Sequence, residues 1–303
     1  MQRKITNALI GVMLLALFIL AGSFYFFNLK ESKLDTKLTI DKGEKKENNL
    51  RSFFNNKDEY EKTFADVVDV PKKNIIAGIT AHHFLAKNLI AKFYAGIAND
   101  KIENIIVVGP DHFGSLSDNS TYAVLAEVFW DTPFGEIESN KEIIQEILES
   151  NDGIKINNDI FKIEHSIYTE VPFIKKVFPK ARVIPVIVKN TYGNYEKFVK
   201  IGEKLRKISG QDTVMIVSSD FSHEVTVEEA KTQDDLSIIN LQDFLFDNLD
   251  NISCDCRACM AVLMGFLGPN ANNFYLVENK NSSNFGSPDE KVTSYISGYF
   301  LSD

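Results

Sequence analysis

The sequence has little cysteine and little histidine. Only three Cys occur in 303 residues, all between Cys254 and Cys259, and only five His. Cysteines so close together do not make a disulfide framework, which normally links distant segments. An excess of basic residues is also missing, since the formal net charge is −9. Nucleic-acid binding normally needs a basic face, so we expect no nucleic-acid partner.

One long apolar run is present, from Ala8 to Phe27, and it carries no charge. Its length matches the roughly 20 residues that cross a bilayer core, and Arg3 precedes it. The pattern predicts a transmembrane signal-anchor at 8–27, with residues 1–7 as a basic cytoplasmic end. The rest of the chain would then be extracytoplasmic and held at the membrane by this helix. A cleaved signal peptide, cut near Ala21-Gly22-Ser23, is the alternative.

Composition separates the remaining chain into a charged segment and a patterned one. Residues 28–71 are rich in charges of both signs, which predicts a solvated tether. From 72 to 303, short apolar runs such as NIIAGIT at 74–80 and ARVIPVIV at 181–188 alternate with amphipathic stretches. Buried strands that alternate with helices are typical of an α/β domain. We therefore expect a single α/β domain over 72–303.

The five histidines sit where predicted strands end or a helix begins. His82 and His83 follow the strand at 74–80, His112 follows the strand at 104–108, His223 follows the strand at 212–217, and His165 begins a helix. In α/β sheets the carboxyl ends of strands share one edge, where ligands bind. Three imidazoles with a carboxylate or thiolate suit iron, copper or zinc. The pattern predicts a metal or catalytic site, although a single His in such a turn is more often a hydrogen-bonding loop residue.

The same turns contain short motifs in a fixed order. They are GITAHH at 78–83, VVGPDH at 107–112, EHS at 164–166 followed by EVPF at 170–173, SSDFSH at 218–223, and KVTSYISG at 291–298. In that order they resemble the motifs I-x-P-H, GP-S/N-H, EHS…E…LPF, SSDFSH and S-V-S-Y-A-x-G of the Memo family, also called AmmeMemoRadiSam system protein B. The resemblance covers about residues 74–301.

The resemblance implies the fold of class III extradiol dioxygenase catalytic subunits. That fold is a single α/β domain with a central mixed sheet flanked by helices, here preceded by the N-terminal transmembrane helix. The resemblance also implies a metal site whose ligands would be His82, His112 and His223. His165 would be a catalytic acid–base group beside them. The family proline before the first ligand is replaced by Ala81 in this chain.

The resemblance implies a fourth ligand from the segment SCDCRACMAVL at 253–263. The family has a cysteine here, and an alignment without a gap places Asp255 at that position. A carboxylate is a hard ligand that favours iron over copper or zinc. Cys254 or Cys256 would take this role after a shift of one residue. Two further readings are a soft-metal cluster of all three cysteines, with Cys259 otherwise in the core, and a Cys254–Cys256 disulfide.

With these residues, the resemblance implies a metal-dependent, dioxygenase-like oxidoreductase that acts on a small organic substrate. His165 or His223 would move protons, and Asp220 would orient a ligand as a neighbouring carboxylate or serve only as a turn residue. One alternative is a non-catalytic metal- or ligand-binding protein that reuses the fold. Another is a zinc-type hydrolase that uses the same histidines to activate water.

Overall fold

Strands and helices alternate along most of the chain. The computed structural model describes residues 49–67, 74–149, 153–268 and 273–302. The strands are β1 Asn49–Arg51, β2 Ile75–Thr80, β3 Asn104–Pro110, β4 Ala123–Leu125, β5 Phe129–Thr132, β6 Gly135–Glu138, β7 Ile154–Ile156, β8 Arg182–Val188, β9 Thr213–Ser218, β10 Phe221–Val225, β11 Phe274–Asn281 and β12 Val292–Leu301. The helices are α1 Lys57–Ala65, α2 Lys87–Gly96, α3 Lys141–Leu148, α4 His165–Tyr168, α5 Val171–Val177, α6 Glu196–Ile208, α7 Val227–Gln242 and α8 Arg257–Leu267.

The main sheet has the strand order β10-β12-β2-β9-β3-β8-β4-β7, with β11 paired to β12. Strands β2, β9, β3 and β8 run parallel to one another. The outer strands β12 and β4 run antiparallel to β2 and β8, which makes the sheet mixed, as the resemblance implied. The carboxyl ends of β2, β9 and β3 therefore meet at one edge, and the candidate site lies there.

Both faces of the central strands are covered, because their side chains alternate between two cores. In β3, Ile106 packs in a core with residues of α6 and α8 such as Met260. The neighbouring Ile105 packs in a second core with residues of α2 and α5, including Phe93 and Phe173. This burial on both sides explains why the central strands are runs of Ile and Val rather than alternating sequences.

Helices α6 and α8 pack against each other so closely that glycine is needed at the contact. A methyl group at Gly202 would overlap the carbonyl oxygen of Val262, and one at Gly265 would overlap that of Val199. Because α8 begins two residues after Asp255, this contact also fixes the start of the segment that brings Asp255 to the sheet edge.

Residues 49–67, which we assigned to the tether 28–71, are part of the folded domain in the structure. They form β1, which pairs with β5 in a separate three-stranded sheet, and α1. Leu50 and Tyr60 are buried in the same core as Phe173. The many charged residues of this segment led us to extend the tether to residue 71, although a few apolar residues pack it into the domain.

The predicted fold class and localisation need a correction at the N-terminus. Within the part of the chain that the structure describes, no helix combines the length and the apolar character needed to cross a bilayer. The apolar run at 8–27 lies outside the described residues. The fold class that the findings support is therefore the mixed α/β domain alone, and neither the membrane anchor nor the extracytoplasmic location is retained.

Candidate metal centre

His82 lies two residues beyond β2 and is buried, with 2% of its surface exposed. Its backbone N–H donates to Asp220 Oδ1 at 3.1 Å. At the end of β9, the Ser218 hydroxyl donates to the carbonyl oxygen of Ser166 at 2.6 Å and lies 3.3 Å from His82 Nδ1. Since a hydroxyl has a single hydrogen, Ser218 must accept from Nδ1–H of His82. This bond leaves Nε2 of His82 as the available ligand atom.

His112 follows β3 and is oriented by a buried carboxylate. Glu164 Oε2 accepts from the backbone N–H of His112 at 2.9 Å, and Glu164 Oε1 lies 2.7 Å from its Nδ1. Burial alone would raise the pKa of Glu164, but hydrogen bonds and charge from His112 outweigh it and lower that pKa. An ionised carboxylate only accepts, so Nδ1 carries the hydrogen and Nε2 is the nitrogen that can bind a metal. Carboxylates in this position orient imidazole ligands in metal sites.

His165 completes a group of three imidazoles. It is the first residue of α4, its ring stacks on His112 with centroids 4.1 Å apart, and it meets His82 nearly edge-on at 5.0 Å. One ligand atom from each of the three residues lies within 4.8 Å of the others. Burial, followed by the charges of His82 and His112, lowers the pKa of His165 to about 4. His165 is therefore a neutral imidazole at neutral pH.

Asp255 lies between two of these rings. Its Oδ2 is 3.2 Å from His82 Nε2 and 3.4 Å from His112 Nε2, while Oδ1 accepts from the Ser219 hydroxyl. Burial opposes ionisation of Asp255, but His82 and the hydrogen bonds from His112, His82 and Ser219 outweigh it and hold the pKa of the carboxyl well below its usual range. Asp255 therefore contributes a negative charge in the middle of the group.

The carboxylates around the group favour positive charge on the imidazoles. Burial would lower the pKa of His82, yet Asp220 and Asp255 raise it to about 10. Burial would also lower the pKa of His112, but its hydrogen bonds with Asp255 and Glu164 raise it to about 9. An environment that holds protons this strongly also attracts a metal cation, which would take the place of those protons. The donor set is compatible with a divalent metal ion.

His223, which we named as the third ligand, does not belong to the group of three. Its side chain is exposed on β10, opposite Thr293 of β12. The turn after β9 contains only Ser219 and Asp220. The chain then enters β10, which places His223 outside the group of three histidines. Asp220, predicted beside His223, instead holds the backbone of His82. The geometry thus favours His165 over His223.

The cysteines do not form a metal cluster in the structure. Cys256 and Cys259 are joined in a disulfide, so Cys256 has no thiolate to offer and the predicted Cys254–Cys256 pairing is not the one observed. Cys254 is free, but burial and the charge of Asp255 raise the pKa of its thiol to about 12. Of the three candidates for the fourth ligand, Asp255 alone touches the histidines.

Sequence reasoning missed the roles of Glu164 and Ser218. Glu164 appeared in the sequence only as the first residue of the motif EHS, and in the structure it also caps α4 by accepting from Ser166 N–H. A signal was present, because Glu164 directly precedes a histidine and shares a motif with it. Nothing in the sequence showed that Glu164 reaches across to His112, which lies 52 positions away.

Comparisons with known proteins agree with the motifs. A family model described as Memo-like protein matches residues 40–299 and confirms the resemblance. The MEMO1 family protein of Sulfurisphaera tokodaii is 26% identical over 243 residues, which cover 76% of this chain and 84% of the relative. That of Aquifex aeolicus is 27% identical over 212 residues, covering 66% and 76%. A crystal structure of the uncharacterized protein JW3007 from Escherichia coli K12 aligns with a TM-score of 0.48 and 13% identity, over 73% of this chain and 99% of that one.

Proposed function

This chain belongs to the Memo family, and on that premise we propose that it is a metal-dependent oxidoreductase that acts on a small organic molecule. The metal would be held by His82, His112 and His165, with Asp255 as an oxygen ligand. The observation that carries the proposal is the convergence of the three imidazoles, whose ligand atoms lie within 4.8 Å of one another.

The donor set supports iron before copper or zinc. It combines imidazole nitrogens with a carboxylate oxygen and contains no available thiolate, and nitrogen–oxygen sets with open positions are typical of non-heme iron sites. Such an iron ion supplies redox chemistry and places where a substrate can bind. The protein side chains would bind and orient that substrate.

A zinc-type hydrolase is the second candidate. Three histidines are also the ligand set of some catalytic zinc sites, where bound water becomes the nucleophile. The presence of Asp255 between His82 and His112 favours the first candidate, because it adds a fourth, oxygen donor. A non-catalytic binding protein would have the same site but would convert no substrate.

Metal analysis of the full chain, purified without oxygen, tests the proposal. We expect iron in the wild-type protein and oxygen uptake that depends on it. His165→Ala should lose most of the metal, because one of the three imidazoles is removed. His223→Ala is the matched control and should retain the metal.

Each outcome separates the candidates. Zinc alone, without oxygen uptake, would favour the hydrolase. Equal metal content in the two histidine variants would refute the ligand assignment. A wild-type protein that binds no metal, even after reconstitution with Fe(II) or Zn²⁺, would eliminate both enzymes.

A further inference from the structure

The disulfide between Cys256 and Cys259 adjoins the carboxylate of the candidate metal centre. Cys256 directly follows Asp255 in the chain and caps the start of α8, and Cys259 lies in the first turn of that helix. Both cysteines are fully buried in the core that α8 shares with α6. A covalent bond that a reductant can open therefore lies one residue from a proposed metal ligand.

The helix on one side of this disulfide has little room to move. Helix α8 meets α6 at Gly202 and Gly265, where even a methyl group would overlap backbone atoms of the other helix. Residues 258–263 of α8 are fully buried. Because packed interiors are dense, a change in the disulfide is expected to displace the turn before α8 rather than the helix itself.

The turn before α8 is the part of the chain that positions Asp255. The backbone N–H of Asp255 donates to the carbonyl oxygen of Asp220 at 3.0 Å, and the Asn190 side chain donates to the carbonyl oxygen of Asp255 at 3.0 Å. These bonds fix the position from which Asp255 Oδ2 reaches His82 and His112. A displacement of the turn would therefore move an oxygen that we propose as a metal ligand.

Opening the disulfide requires such a displacement. A dithiol reductant, which reaches the buried sulfurs when the turn opens locally, acts by thiol–disulfide exchange. The S–S bond breaks, Cys256 and Cys259 gain two electrons and two protons to become thiols, and the dithiol is oxidised to its own disulfide. Unbonded sulfurs stay at van der Waals contact, so two thiols need more room than a disulfide. In a close-packed core, that room comes from movement of the neighbouring backbone.

We propose that the Cys256–Cys259 disulfide is a redox-sensitive site that controls the metal centre. The oxidised form holds the turn where Asp255 lies between His82 and His112. Reduction by a dithiol releases the turn and weakens metal binding. The proposal deepens the proposed function and rests on it for the metal, whereas the release of the turn does not depend on a metal.

The Fe(II) affinity of the full chain, measured without oxygen before and after reduction, tests the proposal. The dithiol is removed before Fe(II) is added, and free thiols are counted in each sample, with one expected in the oxidised protein and three after reduction. We expect the dissociation constant to rise at least about tenfold on reduction, as is typical when groups that orient metal ligands are altered.

Two variants separate the disulfide from other effects of the reductant. The double variant Cys256→Ser and Cys259→Ala should bind Fe(II) as weakly as the reduced wild type, with or without treatment by the dithiol. Cys254→Ser is the matched control, because it removes the free cysteine of the same segment and leaves the disulfide in place. It should respond to reduction as the wild type does.

Hydrogen exchange at the Asp255 backbone amide, measured on the metal-free protein, keeps this proposal apart from the proposed function. Exchange should be faster after reduction, because the bond from this amide to Asp220 is weakened. A disulfide that the dithiol leaves closed in the folded protein, or equal or tighter Fe(II) binding after reduction, would overturn the proposal. A protein that binds no Fe(II) in either state would reject the proposed function. Faster exchange would then still support the release of the turn, and unchanged exchange would reject both.

Discussion

At the scale of single residues, the candidate site depends on groups that orient the histidines as much as on the histidines. Ser218 and Glu164 each fix a hydrogen on Nδ1, so that His82 and His112 present Nε2 to the same place. The motifs and the alignment singled out His82, His112 and Asp255, whose side chains lie together in the structure. They could not distinguish His165 from His223, because that choice depends on how soon the chain re-enters a strand after β9.

Glu170 is a buried acid behind this group, and it predicts a pH-dependent stability. Burial raises the pKa of Glu170 to about 8, despite a 2.7 Å hydrogen bond from the Tyr94 hydroxyl. The folded protein thus keeps this proton up to a higher pH than the unfolded chain, whose carboxyl titrates near 4.5. The resulting stabilisation is complete below about 4.5 and is lost as the pH rises through about 8.

We therefore expect the stability difference between wild type and Glu170→Gln to change with pH. From pH 5 to pH 8 the wild type should lose on the order of a few kcal/mol of unfolding free energy relative to the variant, whose amide does not titrate. Urea unfolding with a chelator present measures this, since the chelator removes any contribution from bound metal. Parallel pH profiles for the two proteins would show that Glu170 does not hold the proton.

At the scale of elements, the segment that forms β1 and α1 belongs to the core. Tyr60 of α1 is 1% exposed and packs edge-on against Phe173 and Phe84, with centroids 5.0 and 5.5 Å away. We expect Tyr60→Ala to lower the free energy of unfolding by about 3–5 kcal/mol, as for other large aromatic side chains cut from a core. Urea denaturation measures the loss.

Tyr60→Phe is the matched control, because it removes only the hydroxyl, which donates to the Phe54 carbonyl at a long 3.4 Å. It should cost less than about 1 kcal/mol. A Tyr60→Ala variant as stable as the wild type would mean that this segment behaves as the tether that the sequence predicted.

The elements differ in how well their sequences predicted them. The central strands β2, β3, β8 and β9 were identified because a continuous run of Ile and Val fits a strand buried on both faces. Short strands such as β5 and β10 were missed, since four or five residues carry too little pattern. Their partners β6 and β12 are set by tertiary pairing, which periodicity does not reveal.

At the scale of the whole molecule, the site joins parts of the chain that only folding brings together. His82, His112, His165 and Asp255 come from four separate segments. A metal that binds them binds the folded state alone, so it should stabilise the entire domain. Each tenfold increase in free Fe(II) above the dissociation constant should add about 1.4 kcal/mol to the free energy of unfolding.

Anaerobic urea unfolding at several Fe(II) concentrations measures this slope. His112→Ala should show a flat response, because it lacks one of the ligands. An equally flat response in the wild type would contradict metal binding by the folded domain.

The parallel strands also separate the site, at their carboxyl ends, from the loops at their amino-terminal ends. Residues 97–103 and 209–212 lead into β3 and β9 at those ends, and each strand of six or seven residues spans roughly 20 Å. A fluorescent dye attached to one of these loops would lie about one strand length, roughly 20 Å, from the imidazoles. Energy transfer between chromophores can be measured over that distance. Energy transfer from this dye to a light-absorbing ligand would therefore detect binding at the histidines, and the label itself would lie away from the site.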